Sequence, residues 1–141
     1  LTDTTKTTPY AALLLRLTLG TALVAHGLLK VLVFTVPGTV AFFDSIGYPG
    51  VLAYLVIAAE LGGGAALIAG IYVRPIALAL VPILIGATLQ HAGNGWLFTN
   101  EGGGYEFPLF WTATLVVQAL LGAGAYAVRL PAALELKPAG A

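Results

Sequence analysis

The fold is decided by residues 10–32, which read YAALLLRLTLGTALVAHGLLKVL. Only three basic side chains interrupt this apolar stretch: Arg16, His26 and Lys30. About 20 predominantly apolar residues are enough for a helix, at about 1.5 Å per residue, to cross the hydrocarbon core of a bilayer. The stretch therefore predicts a first membrane-spanning helix, which we expect to be retained rather than removed as a leader.

The composition of the whole chain agrees with a membrane environment. Of 141 residues, 59% are hydrophobic and 9% are charged, and the mean hydropathy is +0.95. A soluble domain carries about 25% charged residues. The absence of cysteine excludes disulfides, thiol redox chemistry and a cysteinate metal site, and we expect no metal site at all. Zero net charge without a basic run argues against a nucleic-acid partner, so the bilayer is the expected surrounding.

Three further stretches are long and apolar enough to span a membrane: residues 51–73, 75–93 and 107–128. The first of them contains one charged side chain, Glu60; the next contains His91, and the last has no charge. Together with residues 10–32 they predict an all-α integral membrane protein. We expect one domain over residues 1–141, a four-helix transmembrane bundle with short interfacial segments in its outer loops.

The two longer connections are rich in glycine and aromatic residues. Residues 36–49 read VPGTVAFFDSIGYP, a mixture that favours a short interfacial or re-entrant helix over a solvated loop. Residues 93–111 read GNGWLFTNEGGGYEFPLFW. Because Trp and Tyr favour the headgroup zone, the aromatic residues of this second connection indicate either an interfacial belt or a lid over a binding site.

The distribution of Lys and Arg predicts the orientation. Basic residues lie before or early in the first span, between the second and third spans, and after the fourth: Lys6, Arg16, Arg74, Arg129 and Lys137. Residues 31–50 and 94–106 contain no Lys or Arg and carry the acidic residues Asp44, Glu101 and Glu106. Since basic loops stay on the cytoplasmic side, both termini are predicted to be cytoplasmic. Arg16 and Arg74 are interpreted as structural anchors whose side chains extend to the interface.

A stripe of small residues recurs every four positions in the second span: Ala58, Gly62, Ala66 and Gly70. Small residues at this spacing allow helix backbones to approach closely in lipid. We therefore predict that Gly62 and Gly70 have a structural role, in packing the second span against a neighbour.

Four ionisable side chains from three spans are predicted to lie in the outer half of the bundle: His26, Lys30, Glu60 and His91. The connection after the third span would place Trp96, Tyr105 and Glu106 just above them. Ionisable groups inside a membrane are expensive and commonly mark function, so the set predicts a ligand pocket. The alternative is a structural salt bridge between Lys30 and Glu60, with two histidines that are satisfied locally.

Several short motifs of this chain, taken together, match one known family. They are Arg16 with Gly20; His26, Gly27 and Lys30; Phe43 with Gly47, Tyr48 and Pro49; Glu60 with Gly62 and Gly63; Gly70 with Arg74; His91, Asn94, Gly95 and Trp96; and Gly103, Gly104, Tyr105 and Glu106. With these residues, over roughly positions 11–126, the chain resembles the DoxX family of small bacterial and archaeal membrane proteins with four helices.

The resemblance implies a redox role in a prokaryotic plasma membrane. The family name traces to a subunit of a thiosulfate:quinone oxidoreductase, which implies quinone contact and a larger membrane complex or a homo-oligomer as partner. It does not make the chain an enzyme by itself. A quinone needs an apolar slot, donors such as His26, Lys30 and His91, and proton relays such as Glu60 and Glu106.

Two alternatives to a quinone subunit follow from the same residues. The chain could be a non-catalytic assembly subunit in which the buried charges form a structural network. The two histidines, on different helices, could also hold the iron of a haem b. We expect no haem, because Lys30 and Glu60 crowd the same level of the bundle.

Overall fold

The computed structural model describes residues 4–130 of the chain; Lys137 lies outside them. Within this range the structure is all-helical and contains no strand, which confirms the predicted class. The five helices are α1 (Thr4–Leu32), α2 (Val36–Ser45), α3 (Val51–Ala69), α4 (Val73–His91) and α5 (Glu106–Leu121). Helix α3 consists of α-helical Val51–Ala58, a π-helical turn Ala59–Gly63 and α-helical Gly64–Ala69. A 3₁₀ turn, Ala92–Asn94, extends α4.

Three of these helices are long and apolar enough to cross a membrane: Thr4–Leu32, Val51–Ala69 and Val73–Asn94. Helix α5 is apolar but shorter. The predicted short helix in the first long connection is α2, where Thr35 Oγ1 accepts a hydrogen bond from Gly38 N at 3.2 Å. We call the end of the molecule that carries α2 and the connection before α5 the outer end, and the opposite end the inner end.

One apolar core joins α1, α3, α4 and α5. Its buried side chains are Leu19, Leu23, Leu67, Val73, Ala77, Leu80, Leu84, Trp111, Leu115 and Ala119. Dispersion contacts among such side chains, rather than a hydrophobic driving force, hold helices together in lipid.

Helix α5 ends at Leu121, short of the predicted end of the fourth span at residue 128. The chain turns at Gly122, whose φ of +82° lies in the left-handed region that favours glycine. Residues 122–130, here called the inner strap, then run across the inner end. Ala125 N donates to Pro9 O at 2.9 Å, and Val128 N donates to Ala69 O at 3.0 Å. The strap thus ties the start of α1 to the end of α3.

Helices α1 and α3 approach each other at Gly20 and Gly64, and not at the predicted glycines, Gly62 and Gly70. Ile57, Glu60, Gly64 and Leu67 form the buried face of α3, whereas Ala58 and Gly62 are exposed. Residues two positions apart point to opposite sides of a helix. Because the carboxylate of Glu60 faces inward, Gly62 faces outward, and the packing contact predicted for it is not found within residues 4–130.

We expect Gly20→Ala to destabilise the protein by about 1–3 kcal/mol, because the new methyl group would overpack the α1–α3 contact. A Cβ at Gly20 would lie 2.6 Å from Gly64 O and 2.7 Å from Ile68 Cγ1. Gly62→Ala is the matched control, since a Cβ there meets nothing within 4 Å. It should leave stability unchanged or raise it by up to about 1 kcal/mol. Thermal unfolding in detergent measures both, and equal losses would contradict the assigned contact.

Candidate functional site

The predicted contact between Lys30 and Glu60 is confirmed. Lys30 Nζ lies 2.8 Å from both Oε1 and Oε2 of Glu60. The side chains are 20% and 8% exposed, respectively. Because a buried carboxylate needs a partner, this ion pair accounts for both charges in the outer half of α1 and α3.

The local backbone brings the two charged side chains together. Glu60 lies in the π-helical turn Ala59–Gly63, a rare geometry that is frequent at functional sites. On α1, a Cβ at Gly27 would lie 2.8 Å from the side chain of Leu61, so any larger residue would require Leu61 to move. The side chain of Thr39 in α2 donates to the backbone carbonyl of Lys30 at 3.1 Å, which joins α2 to the end of α1.

His26 lies one helical turn before Lys30 but is engaged elsewhere. Its Nδ1 lies 2.9 Å from Ala22 O, one turn earlier in the same helix. Its ring meets the Trp111 ring edge-on, with the ring centroids 4.8 Å apart. His26 is exposed on the surface of the helices, so its imidazole joins α1 to α5 at the periphery.

His91 binds the connection between α4 and α5. Its Nδ1 lies 2.9 Å from Gly103 O and 3.1 Å from Gly102 O. The Asn94 side-chain amide donates to the same two carbonyls, at 2.9 and 3.1 Å. The histidine therefore holds the glycine-rich connection in place.

The predicted roof residues belong to the same connection. The rings of Trp96 and Tyr105 pack edge to face, with centroids 5.3 Å apart. Glu106 Oε1 accepts a hydrogen bond from Phe98 N at 2.9 Å. The seven predicted ligand residues therefore belong to three separate sets of contacts in the structure. Lys30 and Glu60 form an ion pair, His26 packs on Trp111, and the other four organise the outer connection. Ligand binding by these residues stays a prediction.

A groove of about 430 Å³ opens at the outer end, beside the connection that His91 holds. Two predicted residues line it, Trp96 and Glu106, together with Phe98, Phe107, Leu109, Phe110 and Ala113. The groove lies on the side of α5 opposite to Leu115 and the core. Its walls are aromatic and aliphatic apart from the carboxylate of Glu106.

Arg16 does not extend to the interface as predicted, because its side chain is only 1% exposed. Nε donates to Ala123 O at 2.9 Å, and Nη2 donates to Ala125 O at 2.9 Å. Nη1 donates to Leu67 O at 3.1 Å and also to Ile68 O. These carbonyls lie at the end of α3 and in the inner strap, where helical hydrogen bonding stops. The guanidinium turns inward because it donates hydrogen bonds to these carbonyls, and lipid has no donors to replace it.

The other two predicted structural residues lie near this arginine. Gly70 has a φ of +82°, and a Cβ there would lie 2.7 Å from Ala127 Cα and 3.1 Å from Arg16 Cζ. Gly70 thus has a structural role because a side chain at this position would clash with the strap. Its place in the stripe of small residues is not the reason. Arg74 is exposed at the inner end and lies against Gly122, as expected for an interfacial anchor.

Gln118 is a buried polar residue that sequence reasoning missed. It is fully buried, and its Nε2 donates to Gly122 O at 2.8 Å and Ala12 O at 3.3 Å. Its Oε1 and Trp111 Nε1 have no hydrogen-bond partner in the described part of the chain. The sequence did contain a signal for Gln118, because its side-chain amide lies in the middle of a span without charged residues. Among residues 4–130, no three His, Asp or Glu side chains are placed to hold a metal ion.

Comparisons with known proteins agree with the helical, apolar architecture. The chain is similar to a Bacillus subtilis (strain 168) protein named "Putative oxidoreductase CatD", with 39% identity over 77 residues. That match spans 55% of this chain and 56% of the relative. No solved structure matches the chain. The family model named DoxX matches residues 11–93, the part that holds Arg16, Lys30, Glu60 and His91, and the chain belongs to the DoxX family.

Proposed function

We propose that this protein is a membrane subunit of a quinone-linked redox system, and that the quinone ring binds in the groove beside the outer connection. Membership of the DoxX family and similarity to a protein named an oxidoreductase support the redox role. The observation that carries the proposal is the groove itself, which combines aromatic walls with a single carboxylate.

The groove suits a lipophilic ring compound in size and chemistry. Its volume of about 430 Å³ falls in the usual range of small-molecule sites, and such sites are mainly apolar with few polar groups. Phe107 and Phe110 are 50% and 67% exposed there, so a ring dissolved in lipid can reach them without crossing water. Glu106 is held by its bond to Phe98 N and offers a carboxylate oxygen that exchanges a proton with a ring hydroxyl.

The chain supplies binding and proton exchange rather than electron transfer. It has no cysteine, so it cannot exchange thiols itself. Electrons would therefore pass between the bound quinone and a redox centre on a partner, in a larger membrane complex or a homo-oligomer.

We further propose four crossings of a prokaryotic plasma membrane, with both termini in the cytoplasm. Helix α5 has 16 residues, or about 24 Å at 1.5 Å per residue, so the inner strap would complete the fourth crossing. Irregular backbone is tolerated at membrane depth where protein satisfies it, and Arg16 and Pro9 O do so here. The bond between Pro9 and Ala125 places the start of α1 and the segment after α5 at the same end, as an even number of crossings requires.

A second candidate is a non-catalytic assembly subunit. The ion pair of Lys30 and Glu60 favours it, because the ammonium bonds both carboxylate oxygens and the pair does not line the groove. In this alternative the buried ion pair holds α1 and α3 together, and the outer connection contacts another protein.

Quinone binding is tested by fluorescence, because the chain has only two tryptophans and they lie in different surroundings. Trp96 lines the groove, whereas Trp111 is 7% exposed in the core. We expect decylubiquinone to quench the purified protein saturably. Trp96→Phe should remove most of this saturable quenching, because it removes the fluorophore in the groove.

The matched control is Trp111→Phe, which should keep the saturable quenching. Quenching that rises linearly with quinone, without saturation, would contradict quinone binding and favour the assembly subunit. Saturable quenching that disappears in Trp111→Phe but persists in Trp96→Phe would place the quinone elsewhere.

A further inference from the structure

The inner end of the molecule contains a second cavity, of about 240 Å³, away from the outer groove. It lies between the end of α3 and the inner strap. Gly70 and Tyr72 form one wall, and strap residues around Ala127 and Arg129 form the other. Since α3 spans Val51–Ala69, this cavity lies at the level where a crossing helix ends.

One arginine lines this cavity, and two more lie near the residues that form its walls. Arg129 lines it directly and is exposed. Arg16 lies immediately behind the Gly70 wall, because a Cβ on Gly70 would be 3.1 Å from Arg16 Cζ. Arg74 lies beside the strap, with Nε 3.0 Å from the Cβ position of Gly122. The charged side chains at and near the cavity walls in the described part of the chain are therefore basic.

No carboxylate among residues 4–130 balances these arginines. The acidic residues in that range are Asp44, Glu60, Glu101 and Glu106. Glu60 pairs with Lys30, and the other three belong to the outer connections or to the start of α5. The side chain of Arg16 donates its hydrogen bonds to backbone carbonyls, which do not neutralise its charge. The other two acidic residues, Asp3 and Glu135, lie outside the described residues. Within residues 4–130 the site lacks a counter-ion, which an anionic ligand would supply.

We propose that this cavity binds the phosphate group of an anionic phospholipid. Basic pockets between helices at the cytoplasmic side suit such headgroups. The guanidinium of Arg129 can bond two phosphate oxygens, and Arg16 and Arg74 add attraction from behind and beside the site. Tyr72 and Val128 are 37% and 52% exposed next to the cavity, so the glycerol and acyl chains have apolar surface to cover.

The proposal is tested on the purified full-length chain in detergent by thermal unfolding. Dihexanoylphosphatidylglycerol should raise the unfolding temperature saturably, and dihexanoylphosphatidylcholine should not. At about 1 kcal/mol per arginine, Arg129→Gln should raise the half-saturating concentration about fivefold. Arg74→Gln combined with Arg129→Gln should raise it about 30-fold. Both arginines are exposed, so these variants should fold.

Lys6→Gln is the control, because it removes a positive charge from the first turn of α1 without changing the cavity wall. It should leave the half-saturating concentration unchanged. Equal stabilisation by the phosphatidylcholine, or an unchanged response of the double arginine variant, would overturn the proposal. Inorganic phosphate that reproduces the full response would also overturn it, since the site would then take free phosphate rather than lipid.

Discussion

Replacing Arg16 with leucine is expected to destabilise the protein by about 3–5 kcal/mol, because several buried backbone carbonyls lose their hydrogen-bond donor. The guanidinium bonds four carbonyls, at Leu67, Ile68, Ala123 and Ala125. Without it, these acceptors are stranded where water is scarce, and each stranded group costs about 1–3 kcal/mol before relaxation. Thermal and denaturant unfolding in detergent measure the loss.

Two variants sharpen the Arg16 experiment. Arg16→Lys should also be destabilising but less so, because one ammonium group keeps the charge yet cannot span α3 and the strap as a guanidinium does. Arg74→Leu is the matched control at an exposed site of the same end, and it should change stability by less than about 0.5 kcal/mol. Equal stability of the Arg16→Leu and Arg74→Leu proteins would contradict the role assigned to Arg16.

Lys30→Met alone is expected to cost about 3–5 kcal/mol, because it leaves the Glu60 carboxylate buried without a counter-ion. Adding Glu60→Leu should recover most of that loss, since replacing a whole buried pair by apolar side chains is often neutral or stabilising. The measurement is a double-mutant cycle of unfolding free energies in one detergent.

The same cycle has an internal control. Glu60→Leu alone should also be destabilising, because it leaves the Lys30 ammonium without its carboxylate. If the effects of the two single variants simply add in the double variant, the ion pair does not act as a unit. Recovery in the double variant would also show that the pair is not needed for folding, which leaves its retention to be explained by function.

The sequence predicted the helices and the ion pair for a clear physical reason. Long apolar stretches have few alternatives to helix in lipid, because every backbone group must be satisfied within the segment. Lys30 and Glu60 carry opposite charges at similar predicted depth in neighbouring segments, and each reduces the cost of burying the other.

The side on which a residue points was harder to predict. An arginine such as Arg16, near the predicted start of a span, can extend to the headgroups or turn inward, and hydropathy does not distinguish the two. The decisive carbonyls of Ala123 and Ala125 lie far along the chain. The face of α3 depended on Glu60, whose inward position moved Gly62 to the surface.

Residues in the connections were the least predictable. His91 was expected beside Lys30, but its partners are backbone carbonyls of Gly102 and Gly103, and side-chain patterns do not report backbone acceptors. The hydropathy pattern also did not predict the end of α5, because residues 122–128 remain apolar after the helix ends. Only the turn at Gly122 marks the change.

The partners of Arg16 have a consequence for biogenesis. Ala123 and Ala125 lie 107 and 109 positions after Arg16, so the ribosome makes them after α1, α3 and α4 are complete. Until then, a nascent chain carries an arginine that lacks two of its four acceptors. A chain truncated before the strap would lack those two acceptors permanently. The polar environment of Arg16, in the first helix, is thus completed only after all five helices have been made.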